Sequence, residues 1–316
     1  MLDASFFDRL SRLRLAMGHR TSMNLTGNRK SMQKGSSMEF SDFREYIPGD
    51  DIRRIDWNAY GRLDRLYVKE YMEEKEAVVS ILIDTSASMD YGEKKKSELA
   101  CKLAAGFAYM GLNNMDRVML YDMRRMNQPF AAGGGKRAIP RLADWLGHRS
   151  FEETADIAEA LWKLPVKGPG VTILISDFLQ EAFVEKEHLT KKGYFAEKGH
   201  SIGKGHFADA EQETLQQLLR FLNYKKQKTV LLHVLAKEEL SVELTGTRNL
   251  IDMEDQGTLR ITLDAASIRV YEKGLREFTD RMRRECAKAG AFYEVCSTGT
   301  DIYQLIFQDL RILYDI

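Results

Sequence analysis

Five short, almost uninterrupted apolar runs recur along the chain: residues 79–84 (VSILID), 116–122 (DRVMLYD), 171–176 (VTILIS), 229–236 (TVLLHVLA) and 291–296 (AFYEVC). A strand buried on both faces reads as a continuous apolar run rather than an alternating one. Between the runs the apolar residues follow helical spacing. Leu99, Leu103, Phe107 and Met110 fall at i, i+4, i+8 and i+11, on one face of a helix. Residues 142–146, 157–164, 215–222 and 265–289 behave alike, and Ile302, Leu305, Ile306, Leu310 and Leu313 repeat the pattern at the end. Doubly buried strands alternating with amphipathic helices require a mostly parallel sheet covered on both faces. The fold class read here is α/β, a doubly wound sheet of Rossmann-like type over residues 77–316, with residues 1–76 as an N-terminal appendage.

Three segments break the alternation. The appendage holds a helical stretch (6–17), a polar basic linker and a dense segment (39–76); from Arg9 to Met38 it carries seven basic residues and no acidic one. Residues 181–210 interrupt the sheet domain with five lysines and four glycines and no period, which reads as a partly ordered surface insertion. Residues 241–263 alternate around 255–257 and read as a hairpin on the sheet edge.

Charge narrows the function classes. Lysine plus arginine equals aspartate plus glutamate, 47 against 47, which argues against a protein built to bind nucleic acid or a charged membrane. No apolar run approaches the roughly 18 residues of a spanning helix, and the first twenty residues do not read as a signal peptide. Cys101, Cys286 and Cys296 are odd in number and sparse, so a disulfide framework is not expected and a cytoplasmic setting is.

The chemistry concentrates after the first run, in Asp84-Thr85-Ser86-Ala87-Ser88-Met89-Asp90. In an open parallel sheet, ligands bind beyond the carboxyl ends of the strands where the strand order reverses. Asp-x-Ser-x-Ser in that position offers one carboxylate and two hydroxyls from a single turn, hard oxygens suited to magnesium. Asp177, after the third run, supplies a second strand-end carboxylate, and Thr154 precedes a helical stretch. The plainer alternatives are local: Ser86, Ser88 and Thr154 as helix caps and Asp177 bonded to its own turn.

That motif resembles the metal-ion-dependent adhesion site of von Willebrand factor A domains. Residues 35–57 (GSSMEFSDFREYIPGDDIRRIDW) and 62–71 (RLDRLYVKEY) resemble the signature of a bacterial family known as domain of unknown function 58, typically encoded beside MoxR-type AAA+ ATPases. The resemblance runs from about Gly18 to the C-terminus. It implies a von Willebrand factor A-type fold, a Mg2+ site (Mn2+ or Ca2+ as alternatives) held by Asp84, Ser86, Ser88, Thr154 and Asp177, and a MoxR-type AAA+ ATPase as partner. Glu152 and Glu153 stand where the family has glycines before the threonine. Within the signature, Pro48-Gly49 fits a type II turn. Arg44, Glu45, Asp50, Asp51, Arg53, Arg54 and Asp56 read as an ion-pair network pinning the segment to the sheet domain, with Phe43, Tyr46 and Trp57 packed beneath.

Other signals fail. Gly133-Gly134-Gly135-Lys136 is no phosphate loop, since Phe130 stands where the first glycine belongs. His188, His200 and His206 match no compact zinc spacing.

Two function classes follow. In one, a non-enzymatic adaptor uses its metal to take a carboxylate from a client protein, because two aspartates and neutral hydroxyls leave the ion electrophilic. In the other, the Asp84 loop serves a metal-dependent phosphohydrolase. Ser86 occupies the position where a second carboxylate would be wanted, and no histidine falls in the strand-end loops, His148 being the nearest. The expected function is therefore a cytoplasmic, non-enzymatic adaptor, and the family resemblance implies that it works with an AAA+ ATPase in assembly, remodelling or activation of a client.

Overall fold

All five apolar runs become neighbouring strands of one sheet. The computed structural model describes residues 4–15, 38–73, 77–166, 168–179, 213–243, 246–251 and 258–315, so the 181–210 insertion and its histidines lie outside the described residues. The chain forms two compact units, a larger one from Met1–Gly18 and Ala77–Ile316 and a smaller one from His19–Glu76.

In chain order, helix α1 (Ala4–Leu10) and the short strand β1 (Arg14–Leu15) open the larger unit. The smaller unit holds β2 (Met38–Glu45), α2 (Trp57–Leu63) and β3 (Tyr67–Glu73). The larger unit resumes with β4 (Val78–Ile83), α3 (Lys96–Asn113), β5 (Arg117–Asp122), β6 (Phe130–Ala132), α4 (Ile139–Gly147), α5 (Ile157–Trp162) and β7 (Gly170–Ser176). It continues through α6 (Glu213–Tyr224), β8 (Gln227–Leu235), α7 (Lys237–Leu240), β9 (Gly246–Ile251), β10 (Thr258–Leu263), α8 (Ala265–Lys288) and β11 (Phe292–Ser297). The central sheet has the order β11-β8-β7-β4-β5-β6 and is parallel except for β6, which runs antiparallel to β5.

Because successive side chains of a strand point to opposite faces, the apolar runs feed two cores. Val79, Ile81, Ile83, Ile173, Ile175 and Val234 pack on one face with Leu103, Phe107 and Met110 of α3 and Leu305, Ile306 and Leu310 of the C-terminal segment. Leu82, Leu174 and Leu231 pack on the other with Ile157, Leu161, Leu218, Leu222 and Met282. Helix α3 lies against the sheet through Gly111, where an added Cβ would meet Val118 Cγ2 at 2.8 Å. The result is a mixed α/β architecture around a central, mostly parallel sheet.

The larger unit differs from the sequence reading in several places. Helix α1 belongs to the larger unit, because Phe6 and Leu10 are fully buried in its core. The hairpin β9–β10 forms, but as a separate two-stranded sheet; the described edges of the central sheet are β11 and β6. The last helical pattern is a short α-turn (Ile302–Gln304) that widens into a π-turn (Leu305–Asp309) and tightens into a 3-10 turn (Arg311–Leu313). Thr154 does not cap α5: Asp156 does, its carboxylate accepting from the Glu159 amide at 2.8 Å.

In the smaller unit β2 and β3 pair antiparallel, with a register shift between Phe40 and Asp42. The Asp50 amide donates to the Ile47 carbonyl at 3.0 Å, and Gly49 has φ +109°, as a type II turn requires. Asp56 caps α2 by accepting from the Asn58 and Ala59 amides. Ion pairs form between Arg44 and Asp50 (2.9 Å) and between Arg65 and Glu45 (3.0 Å). The aromatics are not packed beneath them: Phe43 and Trp57 are exposed, and Ile55 and Val68 take the buried positions. A two-stranded ribbon with a two-turn helix has little interior, and these two aliphatics occupy it.

Candidate functional site

The site lies where the strand order reverses. From β4 the chain moves outward through β5 and β6 on one side, and the later strands β7, β8 and β11 fill the other. Asp84 follows the last residue of β4 and Asp177 the last of β7, so both carboxylates stand at the carboxyl ends of the two strands flanking that switch point. The Asp84 amide donates to the Ile175 carbonyl at 2.9 Å and fixes one strand end to the other.

Asp84 is fully buried, contrary to the exposed loop position implied by its place after a strand. Its Oδ1 accepts from the Ser86 amide (2.9 Å) and the Ser86 hydroxyl (2.7 Å), and its Oδ2 from the Ser176 hydroxyl (2.5 Å). Burial first, and the charge of Asp177 second, push its pKa up to about 6 despite those donors. Ser86 Oγ and Ser88 Oγ lie 3.1 Å apart, and Ser88 helps to hold the Asp177 carboxyl below its ordinary value. A continuous chain of oxygens therefore runs from Ser176 through Asp84 and Ser86 to Ser88, and Asp177 stands at the end of the adjacent strand. Ser86 stands at the N-cap position of the 3-10 turn Ala87–Asp90, yet its side chain makes no capping bond and is spent on Asp84 instead.

Asp177 is almost fully buried and carries a cation. Its Oδ2 accepts from Lys96 Nζ at 2.8 Å, and its Oδ1 from the Leu179 amide at 3.3 Å. Lys96 is the first residue of α3, only 1 % exposed, and its ammonium also donates to Glu239 Oε1 at 2.9 Å. Glu239 is anchored from its other oxygen by the Ala236 amide at 2.7 Å. Burial acts to raise the Asp177 pKa, but Lys96 outweighs it and holds the carboxyl below its ordinary value. Burial acts to lower the Lys96 pKa, and its two carboxylate partners raise it instead. Each ion stabilises the charged form of the other.

Thr154 is exposed in the loop before α5, and that loop is tied to the Asp84 turn through its backbone. The Glu152 amide donates to the Thr85 carbonyl (3.1 Å) and the Ala87 amide to the Glu153 carbonyl (2.9 Å), with Glu153 at φ +58°. Arg124 reinforces the arrangement: its guanidinium, 4 % exposed, donates to the Glu152 carbonyl and lies 3.6 Å from the Glu153 carboxylate. The two glutamates thus turn their backbone to the Asp84 loop and their carboxylates toward an arginine. On the far side, Thr85 Oγ1 donates to Asp122 Oδ1 at 2.6 Å, at the end of β5.

Sequence reasoning missed Lys96, Glu239, Ser176 and His233. Glu239 lies just past β8 as Asp84 lies past β4 and Asp177 past β7, and reading the end of every parallel strand for acids would have found it. His233 is fully buried near the end of β8, with Nδ1 2.5 Å from the Tyr293 hydroxyl and its ring edge-on to Phe178 and Phe278. Burial pushes its pKa down to about 4, so it is neutral near pH 7.

Among the described residues no three carboxylate, histidine or thiol groups converge on one point. A cation here would rest on few carboxylates and several hydroxyls. The donor chemistry fits a hard divalent ion: Asp84, Ser86 and Ser88 form one contiguous oxygen set, and Asp177 adds a carboxylate at the end of the adjacent strand.

The model of the family described as "Protein of unknown function DUF58" matches residues 42–203, just over half of the chain. Uncharacterized proteins of Mycobacterium bovis and Mycobacterium tuberculosis are 28% identical over 163 residues, 49% of this chain and 51% of theirs. The chain therefore spans about half the length of the curated relatives it matches. Among solved structures, a conserved hypothetical protein BatB from Bacteroides thetaiotaomicron aligns with a TM-score of 0.41 at 15% identity, over 75% of this chain and 98% of that one. An aerotolerance-related membrane protein from Bacteroides fragilis aligns with a TM-score of 0.39 at 12% identity, over the same shares. These are loose likenesses, and nothing functional is taken from them. Among the described residues no helix is long and apolar enough to cross a membrane.

Proposed function

The chain belongs to the DUF58 family of proteins of unknown function, and from that premise we propose that it is a non-enzymatic, metal-dependent protein-binding module of von Willebrand factor A type. One observation carries the reading: the Asp84–Ser86–Ser88 oxygen chain, with Asp177 at the end of the adjacent strand, at the switch point of a mostly parallel sheet. Asp84, Ser86 and Ser88 would hold a magnesium ion, with manganese or calcium as substitutes, and the family resemblance adds Asp177 and Thr154 to that set. When bound, the ion supplies an electrophilic position for the carboxylate of a client protein. The protein's own residues set that position. Ser176 and the Ser86 amide orient Asp84, and the Arg124-braced loop before α5 walls the turn.

A non-catalytic role is favoured by the surroundings of the site. Acid–base chemistry needs a group that can reach a bound substrate. His233 is sealed between aromatic rings, and His148 is exposed just past the end of α4, its Nδ1 against the Asp144 carbonyl. The partnership with a MoxR-type AAA+ ATPase in the cytoplasm rests on the family resemblance. The test is calorimetric titration with Mg2+, Mn2+ and Ca2+, beside co-purification with such an ATPase in magnesium or in chelator. Asp84→Asn keeps the shape of the turn but removes the charge, and it should abolish both ion binding and magnesium-dependent capture. Capture that survives in chelator, or ion binding that survives in Asp84→Asn, overturns the reading.

A further inference from the structure

We infer that Lys96 is the resident cation of the site: it closes Asp177 to direct coordination, and a divalent ion must compete with its ammonium for that carboxylate. The inference rests on the metal reading above and names what regulates it. Three observations carry it. Lys96 is 1% exposed, so its charge is held in the protein rather than dissipated in water. Both oxygens of Asp177 are already engaged, Oδ2 by Lys96 at 2.8 Å and Oδ1 by the Leu179 amide at 3.3 Å. Glu239, anchored by the Ala236 amide, gives Lys96 a second partner at 2.9 Å, so the ammonium keeps a counter-ion if it leaves Asp177.

The charges give the direction. Asp84, Asp177 and Glu239 together offer three negative charges, and Lys96, shared between Asp177 and Glu239, cancels one. An incoming divalent ion also meets a positive charge in contact with one of its candidate ligands, in surroundings that screen poorly. Lys96 therefore lowers the affinity of the site for a divalent ion, so loading takes higher ion concentration than the carboxylates alone would need, or a partner's carboxylate that adds charge. Lys96 is in this sense a positioning residue with a threshold role: it does not ligate, and it sets how much ligand charge the ion can use.

The test compares Mn2+ affinity by calorimetry in the full chain and in Lys96→Gln and Lys96→Arg. Gln can still donate to Asp177 but carries no charge, so Lys96→Gln should bind at least about tenfold tighter than the unaltered protein, while Lys96→Arg should match it. A purely structural lysine predicts that both variants bind as the unaltered protein does, or more weakly as packing is disturbed. Equal or weaker binding by folded Lys96→Gln therefore overturns the inference, and leaves the metal reading intact so long as Asp84→Asn loses the ion. Absence of binding in every form, Lys96→Gln included, sinks both. Should Lys96→Gln be unfolded without metal, its refolding is followed by circular dichroism as Mn2+ is added; recovery at concentrations that leave the unaltered protein unsaturated supports the inference, and no recovery overturns it.

Discussion

The crevice at the end of β4 and β7 and the smaller unit's signature segment are both dense in opposite charges, and they use them differently. In the signature segment Arg65 and Glu45 meet at 3.0 Å with side chains 70% and 63% exposed. In the crevice Lys96 and Asp177 meet at 2.8 Å with side chains 1% and 3% exposed. Each crevice carboxylate is also held by a backbone amide: Asp84 by Ser86, Asp177 by Leu179, Glu239 by Ala236. Water can replace either partner of an exposed pair at little cost, whereas a buried charge that loses its partner has nothing to turn to. Charge density along a sequence therefore says little about where charge matters. Position at the end of a buried strand says more.

The largest effect that tests this contrast is the loss of the buried cation. Lys96→Ala leaves Asp177 and Glu239 without their shared ammonium, and breaking a buried pair from one side costs about 3–5 kcal/mol. Urea unfolding in chelator measures it. A loss below about 1 kcal/mol would place Lys96 with the surface pairs and erase the distinction between the two regions.

A second test uses pH. Asp84 is raised from 3.8 to about 6, by burial and then by Asp177. An acid so raised keeps its proton in the fold where the unfolded chain has lost it, so between about pH 4 and 6 its contribution to stability falls as pH rises. His233 is lowered by burial from 6.5 to about 4. Over about pH 4 to 6.5 the unfolded chain is the one that binds the extra proton, and this contribution rises with pH. At about 1.4 kcal/mol per unit, each amounts to about 3 kcal/mol, and the two oppose each other across a shared window. Asp84→Asn should expose the histidine's slope, with stability climbing by about 3 kcal/mol from pH 4 to 6.5 relative to the unaltered protein. His233→Gln should expose the opposite slope. Denaturant midpoints across that range decide it, and parallel profiles for all three proteins would show that neither group is perturbed as described.

Much of this was legible in the sequence, for reasons that also mark its limits. The five apolar runs identified the strands because burial on both faces leaves little room for polar residues, and inside their ends only Ser80, Arg117, Thr172, His233 and Glu294 interrupt them. Asp84, Ser86, Ser88 and Asp177 were found because two of them end strands and the others follow at fixed spacing. Lys96 was invisible, since a lysine opening an amphipathic helix usually faces water. Only the closing of α3 over the switch point buries it. Trp57 failed in the opposite sense: its size predicts burial, but the smaller unit's two-stranded ribbon has too little interior to cover it.

The smallest expected effect lies on the signature segment. Arg65→Ala removes a long side chain that is mostly in water and pairs with Glu45 through one contact at 3.0 Å. The Coulomb gain of such a pair is offset by the entropy of holding two flexible side chains and is screened by salt. Arg65→Ala, Glu45→Ala and the double variant should each change unfolding free energy by less than about 0.5 kcal/mol, with a coupling between them that vanishes by about 1 M salt. Urea melts at low and high salt complete the cycle. A coupling above about 1 kcal/mol that persists in high salt would mean that the pair is shielded from solvent in the working protein. The exposure of Arg65, Trp57 and Phe43 would then mark a surface that something covers, and the signature segment would join the crevice as a place where charge is held rather than solvated.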